Sequence, residues 1–303
     1  MTIDRQTWQL LILLSILWGG AFFFTGLALR ELPPLTIVLV RVALGALFLL
    51  PFLKVMGGAL PTNLAGWTPF IGMSLFNNVL PFSLLMTGQT YISSGLASVL
   101  NATTPLFTAL VLAAFGDERL VLRRVAGVLI GVAGVFILHG VSLDQGRDST
   151  IGMLFCLGAA LSYGVSGLWG RRMLNGVPPI TSSTCQLLCS SAVMLVVTSV
   201  VDRPWTLPMP GAVTWLALIG LAGLGTSLAY IVFFRILSRS GATNVMLVTL
   251  LIPVTAILLG HFILGETMTA REIIGAVVIG SALLVIDGRA LHWLWRGVAA
   301  RQA

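Results

Sequence analysis

What this sequence has least of is charge. Asp, Glu, Lys and Arg make up 9% of its 303 residues and hydrophobic residues 57%, against about 25% and roughly 45–50% in ordinary soluble domains. A water-soluble fold has nowhere to hide that much apolar side chain, so the soluble classes are excluded. Acid is scarcer than base, with ten Asp and Glu against seventeen Lys and Arg, and no carboxylate falls in the interior of an apolar block. That removes the intramembrane acid a pump needs to exchange protons for cations. The cysteines, Cys156, Cys185 and Cys189, all lie inside apolar blocks and offer neither a disulfide framework nor metal-ligand spacing. Paired membrane aspartates, HExxH and a GxSxG serine with a partnering histidine are missing too, which sets aside an intramembrane enzyme. No cofactor or metal is expected.

What is present comes in apolar blocks of about 20 residues, the length that crosses a hydrocarbon core of roughly 30 Å at 1.5 Å per residue. In lipid the backbone must bond to itself, so each block is a helix; the alternation of a membrane barrel is absent. Spans are expected near 8–29, 33–53, 66–87, 95–115, 122–140, 151–171, 180–201, 213–237, 243–264 and 272–288. The first is too long for a signal h-region and lacks a small-residue cleavage site, so it is read as permanent. The net charge of +7 follows topology rather than nucleic-acid binding. Ten spans put about twelve Lys and Arg on the N-terminal side (Arg5, Lys54, Arg119, Arg123, Arg124, Arg171, Arg172, Arg235, Arg239, Arg289, Arg296, Arg301) and about four opposite (Arg30, Arg147, Arg203, Arg271). By the positive-inside rule both termini are cytoplasmic.

The chain also repeats itself. "PLFTALVLAAFGDERLVLRRVAG" from Pro105 returns as "PVTAILLGHFILGETMTAREIIG" from Pro253, with Glu118 and Glu266, Arg123 and Arg271, Gly127 and Gly275, and Gly140 and Gly288 at one constant offset. "LRELPPLTIVLVR", ending at Arg41, returns as "LNGVPPITSSTCQ", ending at Gln186; Trp18-Gly19 answers Tyr163-Gly164, and Trp67 and Gly72 answer Trp215 and Gly220. Each copy holds five spans, an odd number, so the copies lie in opposite orientation. The expected fold is therefore an all-α membrane protein of ten transmembrane helices in two inverted five-helix repeats, 1–147 and 148–303. Inverted repeats are a recurrent plan of secondary transporters, with the solute site near the midplane; a receptor or channel does not require them.

These repeated runs, with the "LWGGAFF" opening and the arginine of "IVLVRVALGAL", resemble the EamA repeat of the drug/metabolite transporter superfamily over essentially the whole chain. The resemblance implies an exporter in a bacterial inner membrane, with amino acids, aromatic ones among them, and related metabolites as solutes; the expected function is a secondary transporter that exports neutral small metabolites, amino acids including aromatic ones foremost, by alternating access around a central cavity. Exporters of cationic drugs belong to the same superfamily, and they are the alternative. The partners expected are a small-molecule substrate and the lipid bilayer, in a monomer or homodimer, with no nucleic acid.

Candidate substrate contacts follow from depth and chemistry. Arg41 lies about 12 Å along the second span, where it either snorkels, binds carbonyl ends or meets a substrate carboxylate. Asn77 and Asn78 sit beside Pro81, and Asn101, Thr103 and Thr104 beside Pro105; proline frees a carbonyl that such groups, or a ligand, can satisfy. Trp18, Phe82, Tyr163, Trp169 and Tyr230 fall on repeat-equivalent spans and favour an apolar or aromatic ligand. Pro81, Pro105 and Pro253 are the expected bending points. Glu118 and Glu266 read as turn and capping residues, Thr269 and Glu272 as a capping box, and His261 as a helix-packing hydrogen bonder. Gly127, Gly131, Gly134, Gly275 and Gly280 read as sites of close helix approach. Trp8, Trp67, Trp205, Trp293 and Trp295 read as interfacial anchors.

Overall fold

The structure, a computed structural model, describes residues 4–117, 122–139, 147–245 and 247–287. Glu118, Arg119, Gly140, Gly288, Arg289, Trp293, Trp295, Arg296 and Arg301 lie outside the described residues. Everything described is helix, turn or loop, with no strand among the described residues. The main rods are α1 (Arg5–Ala28), α2 (Pro34–Val55), α3 (Leu64–Gly88), α4 (Ser94–Ala114), α5 (Leu122–His139), α6 (Arg147–Met173), α7 (Pro179–Val201), α8 (Ala212–Ser240), α9 (Val248–Leu264) and α10 (Ala270–Asp287). Among the described residues seven helices are long and apolar enough to cross a membrane, and Val125–Ile137 and Val248–Leu264 are shorter apolar runs.

Local chemistry sets these ends. Pro34 and Pro179 open α2 and α7, where the missing proline N–H would have no intrahelical acceptor in any case. The Asp4 carboxylate accepts from Thr7 N at 3.3 Å and caps α1. Beyond α4 and α9 the chain reverses through Gly116 and Gly265, at φ of 76° and 72°, a backbone that side chains disfavour. The expected ninth span begins earlier than observed, because Ala242–Val245 forms its own short turn before α9.

Helix packing carries the duplication into three dimensions. α2 packs on α7, α4 on α9 and α5 on α10; α1 packs on α9 as α6 does on α4, α1 on α8 as α6 on α3, and α2 on α8 as α7 on α3. Exchanging each helix with the one five later maps this set onto itself. Glycines set the closest approaches. A Cβ on Gly19 would stand 2.6 Å from Thr255 Cβ and 3.0 Å from Ala256 N in α9; one on Gly164 would stand 3.0 Å from Phe107 C and 3.1 Å from Thr108 N in α4. Gly134 of α5 lies against Ile279 N and Gly275 O of α10, at 3.0 and 3.2 Å from such a Cβ. Gly131, where a Cβ would stand 2.2 Å from Leu106 Cδ1, is filled in the same way, but Gly280 is not the close approach its sequence suggested: a Cβ there meets nothing within 4 Å, because α10 leaves a groove at that point. Large apolar side chains such as Leu129, Phe136, Val196, Leu216 and Val277 are exposed along the rods, a belt suited to lipid rather than water.

One end of the bundle is closed by carboxylates that reach between the repeats. Asp202, just past α7, accepts from Thr36 N at 2.8 Å and Thr36 Oγ1 at 2.9 Å at the start of α2. Glu31, past α1, accepts from Gly211 N at 2.7 Å before α8. Glu266, past α9, accepts from Ser94 N at 3.0 Å and Gly95 N at 3.3 Å at the start of α4. Each satisfies amides at a helix N-terminus, which have no intrahelical acceptor. Glu266 is therefore a cap, as expected, but of a helix in the other repeat. Thr269 and Glu272 form the expected box, Thr269 N donating to Glu272 Oε2 at 2.6 Å and Glu272 N to Thr269 Oγ1 at 3.3 Å. His261 is exposed, its Nδ1 lying 3.0 Å from the Glu266 carbonyl oxygen of its own turn, so it joins no neighbouring helix.

Two outcomes are expected of this architecture. Gly19→Val and Gly164→Val each overpack a backbone contact and lower stability by about 1–3 kcal/mol, whereas Gly280→Ala, whose Cβ meets nothing within 4 Å, is neutral within about 0.5 kcal/mol; thermal unfolding in detergent measures both. The Gly211 amide, and after it the Thr214 hydroxyl, hold the Glu31 carboxyl below its ordinary 4.5. A depressed folded value means that the contact contributes fully above pH 4.5 and is lost as pH falls through the lower folded value. The labelling rate of a cysteine introduced at Gly211, taken relative to the rate in the Glu31→Gln background at the same pH so that loss of thiolate cancels, should rise toward one as pH falls through that window.

Candidate functional site

Between the repeats lies a cavity of about 610 Å³, within the roughly 300–1,000 Å³ of small-molecule sites. Its described lining comes from α1–α4 and α6–α9; none comes from α5 or α10, whose mutual packing leaves them as an outer brace. It reaches the surface where α6 gives way to α7, at Arg171, Leu174, Val177 and Pro179. Toward the other end it stops near Thr25 and Gln89, where Gln89 Nε2 donates to Phe22 O and to Ser94 Oγ, both at 3.1 Å. The cavity opens opposite the carboxylate-closed end.

Departures from α-helical geometry shape its centre. Repeat-equivalent stretches of α3 and α8, Leu75–Val79 and Gly223–Leu228, are wide π-turns. Such a turn leaves carbonyls needing donors, and hydroxyls supply them: Ser162 Oγ donates to Phe76 O at 2.8 Å, and Thr226 Oγ1 and Ser227 Oγ donate to Leu221 O and Ala222 O at 3.0 Å each. Pro81, which has no N–H to give, follows the first of these turns. α4 is interrupted at Ala102 and Thr103, and the carbonyl that Pro105 cannot bond, that of Asn101, accepts from Thr104 Oγ1 at 2.7 Å. Thr103 Oγ1 donates to Leu100 O at 2.6 Å. Both threonine hydroxyls donate to backbone.

At the π-turns α2 and α7 cross α8 and α3, and two equivalent polar contacts differ in chemistry. On one side the buried Arg41 donates from Nε to Thr226 Oγ1 at 3.0 Å, its guanidinium carbon 3.7 Å from the Phe82 ring centroid. Its terminal nitrogens have no acceptor among the described residues. On the other side Gln186 stands where the repeat has Arg41, and Asn78 where it has Thr226. Gln186 Oε1 accepts from Asn77 Nδ2 at 2.9 Å and Asn78 Nδ2 at 3.4 Å, Asn78 Nδ2 donates to Ser190 Oγ at 3.0 Å, and Asn78 Oδ1 accepts from Tyr230 Oη at 3.1 Å. A lone cation thus faces an amide cluster across the pseudo-twofold.

Of the residues singled out from sequence, Trp18, Arg41, Asn77, Phe82, Asn101, Thr104, Pro105, Tyr163 and Tyr230 line the cavity. Asn78 is wholly buried behind it in the amide cluster. Trp169 is elsewhere: its indole Nε1 donates to Pro69 O at 2.8 Å and covers Gly72, where a Cβ would stand 2.2 Å from the ring. Phe24 covers Gly220 in the equivalent way, at 2.8 Å, so Trp169 belongs to the packing of the repeats. Pro253 lines a separate groove between α4, α9 and α10. Sequence reasoning missed Gln186 and Ser166 as lining residues. For Gln186 the signal was present, because the repeated prolines align it with Arg41.

No Asp, Glu, Lys or His is among the described lining residues; the charged ones are Arg41 at depth and Arg171 at the mouth. Two ion pairs flank the open end. Arg172 bonds Asp117 and holds its carboxyl below the usual carboxylate range. Asp4, lowered first by the Thr7 hydroxyl and then by Arg239, pairs with Arg239 Nη2 at 2.8 Å.

Comparison with known proteins agrees with this architecture. Residues 6–140 and 150–286 each match the EamA-like transporter family. A probable amino-acid metabolite efflux pump of Salmonella typhimurium is 26% identical over 297 residues, covering 93% of this chain and 95% of its own. The inner membrane transporter YedA of Escherichia coli is 28% identical over 93% of this chain and 90% of its own. The transporter YoaV of Bacillus subtilis is 25% identical over 89% and 92%. A crystal structure with 20% sequence identity superposes with a TM-score of 0.65, covering 93% of this chain and 96% of its own, which establishes the likeness of fold. With two copies of the family's unit spanning nearly its whole length and apolar helices long enough to cross a bilayer, the chain is a multi-pass membrane protein and belongs to the EamA-like transporter family.

Proposed function

We propose that this protein is a secondary transporter of the inner membrane that exports small metabolites, amino acids with large side chains foremost, by alternating access to the central cavity. The observation that carries the reading is the cavity itself, enclosed between two equivalent halves, open at one end and closed at the other. Two nearly equivalent halves can exchange conformations at small cost in energy, which gives the two open states that transport needs. Ten spans with cytoplasmic termini, five to each repeat in opposite orientation, put the open mouth with Arg171 and Arg172 on the cytoplasmic side. The carboxylate-capped end then faces outward.

The division of labour in the cavity supports the solute class. Trp18, Phe82, Tyr163 and Tyr230 offer an apolar surface, and Arg41, whose terminal nitrogens meet no acceptor among the described residues, offers a planar fork for a carboxylate. Pro81, Pro105 and Pro253 serve as bending points, each in or beside a helix whose regular bonding is already interrupted. The Salmonella relative's name as a probable amino-acid metabolite efflux pump points the same way. Export of cationic drugs lacks a carboxylate among the described lining residues. The contact of Gly134 with α10 is made within the chain, and the cavity is lined by one chain, which supports one chain as the transporting unit. The reading involves no bond-breaking chemistry and no cofactor.

Three outcomes are expected. Purified protein in proteoliposomes exchanges labelled phenylalanine, leucine or a related carboxylate against unlabelled solute; a panel of amino acids and their acids with no movement in either direction would overturn the reading. Arg41→Gln weakens apparent affinity about 10- to 100-fold, the loss of a charge-assisted contact worth about 1.5–3 kcal/mol. Gln186→Ala changes solute preference more than maximal rate, as substrate-concentration series in the same assay will measure.

A further inference from the structure

The cavity's charges and hydrogen bonds do not balance, and the imbalance has a direction. Arg41 brings a permanent cation to its centre. Its Nε is engaged by Thr226 at 3.0 Å and its face by Phe82, but the terminal nitrogens meet no acceptor among the described residues, and no Asp or Glu is among the described lining residues. The acceptors across the pseudo-twofold have donors beside them: Gln186 Oε1 has Asn77 and Asn78, Asn78 Oδ1 has Tyr230, and Asn77 Oδ1 has Ser166 Oγ at 3.2 Å. Of the fully buried lining side-chain oxygens among the described residues, Asn101 Oδ1 alone lacks a partner; Gln89 Oε1 and the Tyr163 hydroxyl also line the cavity, and all three are neutral. Donors are in surplus, and so is positive charge.

Resting on the reading of this cavity as the transport site, and moving its preferred solute from the amino acids themselves to their amine-free carboxylates, we infer that the preferred ligand is a monoanion: a carboxylate with an aromatic or branched apolar body and no protonated amine. Such a ligand neutralises Arg41 and leaves a charge-balanced, largely apolar chamber. A zwitterionic amino acid carries its ammonium within a few bonds of its carboxylate, so docking on Arg41 brings a second cation beside the first with no acid to receive it. An unbalanced cation is costly where the dielectric is low. An amine without a carboxylate is worse placed still. De-amination or N-acylation of an aromatic or branched amino acid yields the chemical class described.

The test compares five ligands of similar apolar body on the purified full-length protein in detergent: 3-phenylpropanoate, N-acetylphenylalanine, phenylalanine, 3-phenylpropanamide and phenethylamine. Dissociation constants are measured by calorimetry, and transport by counterflow in proteoliposomes. The two amine-free carboxylates are expected to bind at least about tenfold more tightly than phenylalanine, with the amide weaker and phenethylamine weakest. Arg41→Gln should erase the advantage of 3-phenylpropanoate over 3-phenylpropanamide, and Arg41→Lys should retain part of it. Should Arg41→Gln fail to fold, the ligand order in the unmodified protein decides alone. Phenylalanine binding as tightly as 3-phenylpropanoate, or more so, overturns this inference and leaves amino-acid export standing. Tightest binding by phenethylamine, or no binding or transport of either carboxylate or of phenylalanine, overturns the proposed solute class as well.

Discussion

Everything in this fold answers to one constraint: in hydrocarbon an N–H or C=O must find its partner within the chain. Regular helix meets it by itself. Where α3, α4 and α8 leave regular geometry, hydroxyls take over, with Ser162, Thr104, Thr226 and Ser227 each donating to a carbonyl that the backbone no longer serves. These repaired stretches are also where side chains can turn toward a shared cavity. The irregularity and its repair are thus one feature, placed at equivalent points of α3 and α8.

The second organising feature is a symmetry kept in the backbone and broken in the chemistry. Gly19 on α9 and Gly164 on α4, or Trp169 over Gly72 and Phe24 over Gly220, are equivalent contacts with the same packing task. Arg41 with Thr226 and Gln186 with Asn78 are equally equivalent, yet one brings a charge and the other an amide. Packing needs the two halves to match in shape, because close helix approach tolerates little change in volume. Solute recognition needs them to differ, because a ligand with one polar end and one apolar end has no twofold of its own.

Closure at the carboxylate-capped end is electrostatic. Three carboxylates, on the chain just past α1, α7 and α9, sit on amides at the starts of α8, α2 and α4. Each contact joins one repeat to the other, so relative movement of the repeats breaks all three without disturbing any helix. At the open end, Asp117 with Arg172 and Asp4 with Arg239 hold the rim. Surface pairs of this sort contribute little to stability, which suits contacts that must be made and broken.

Much of this was legible in the sequence, and for definite reasons. The length and apolarity of the blocks, the repeated prolines ahead of α2 and α7, and the constant offset of Pro105 and Pro253 are properties of neighbouring residues, and they determined the helices, the duplication and the depth at which Arg41 and Asn77 lie. Depth, however, does not say which way a side chain points. That Trp169 covers Gly72, that Glu266 caps α4 and that Gln186 joins Asn77 depended on how rods far apart in sequence cross. The azimuth of each helix is fixed by its neighbours' shapes, which appear only when the chain is packed; only the tertiary structure, therefore, decided which polar groups meet each other and left Arg41's terminal nitrogens facing the cavity.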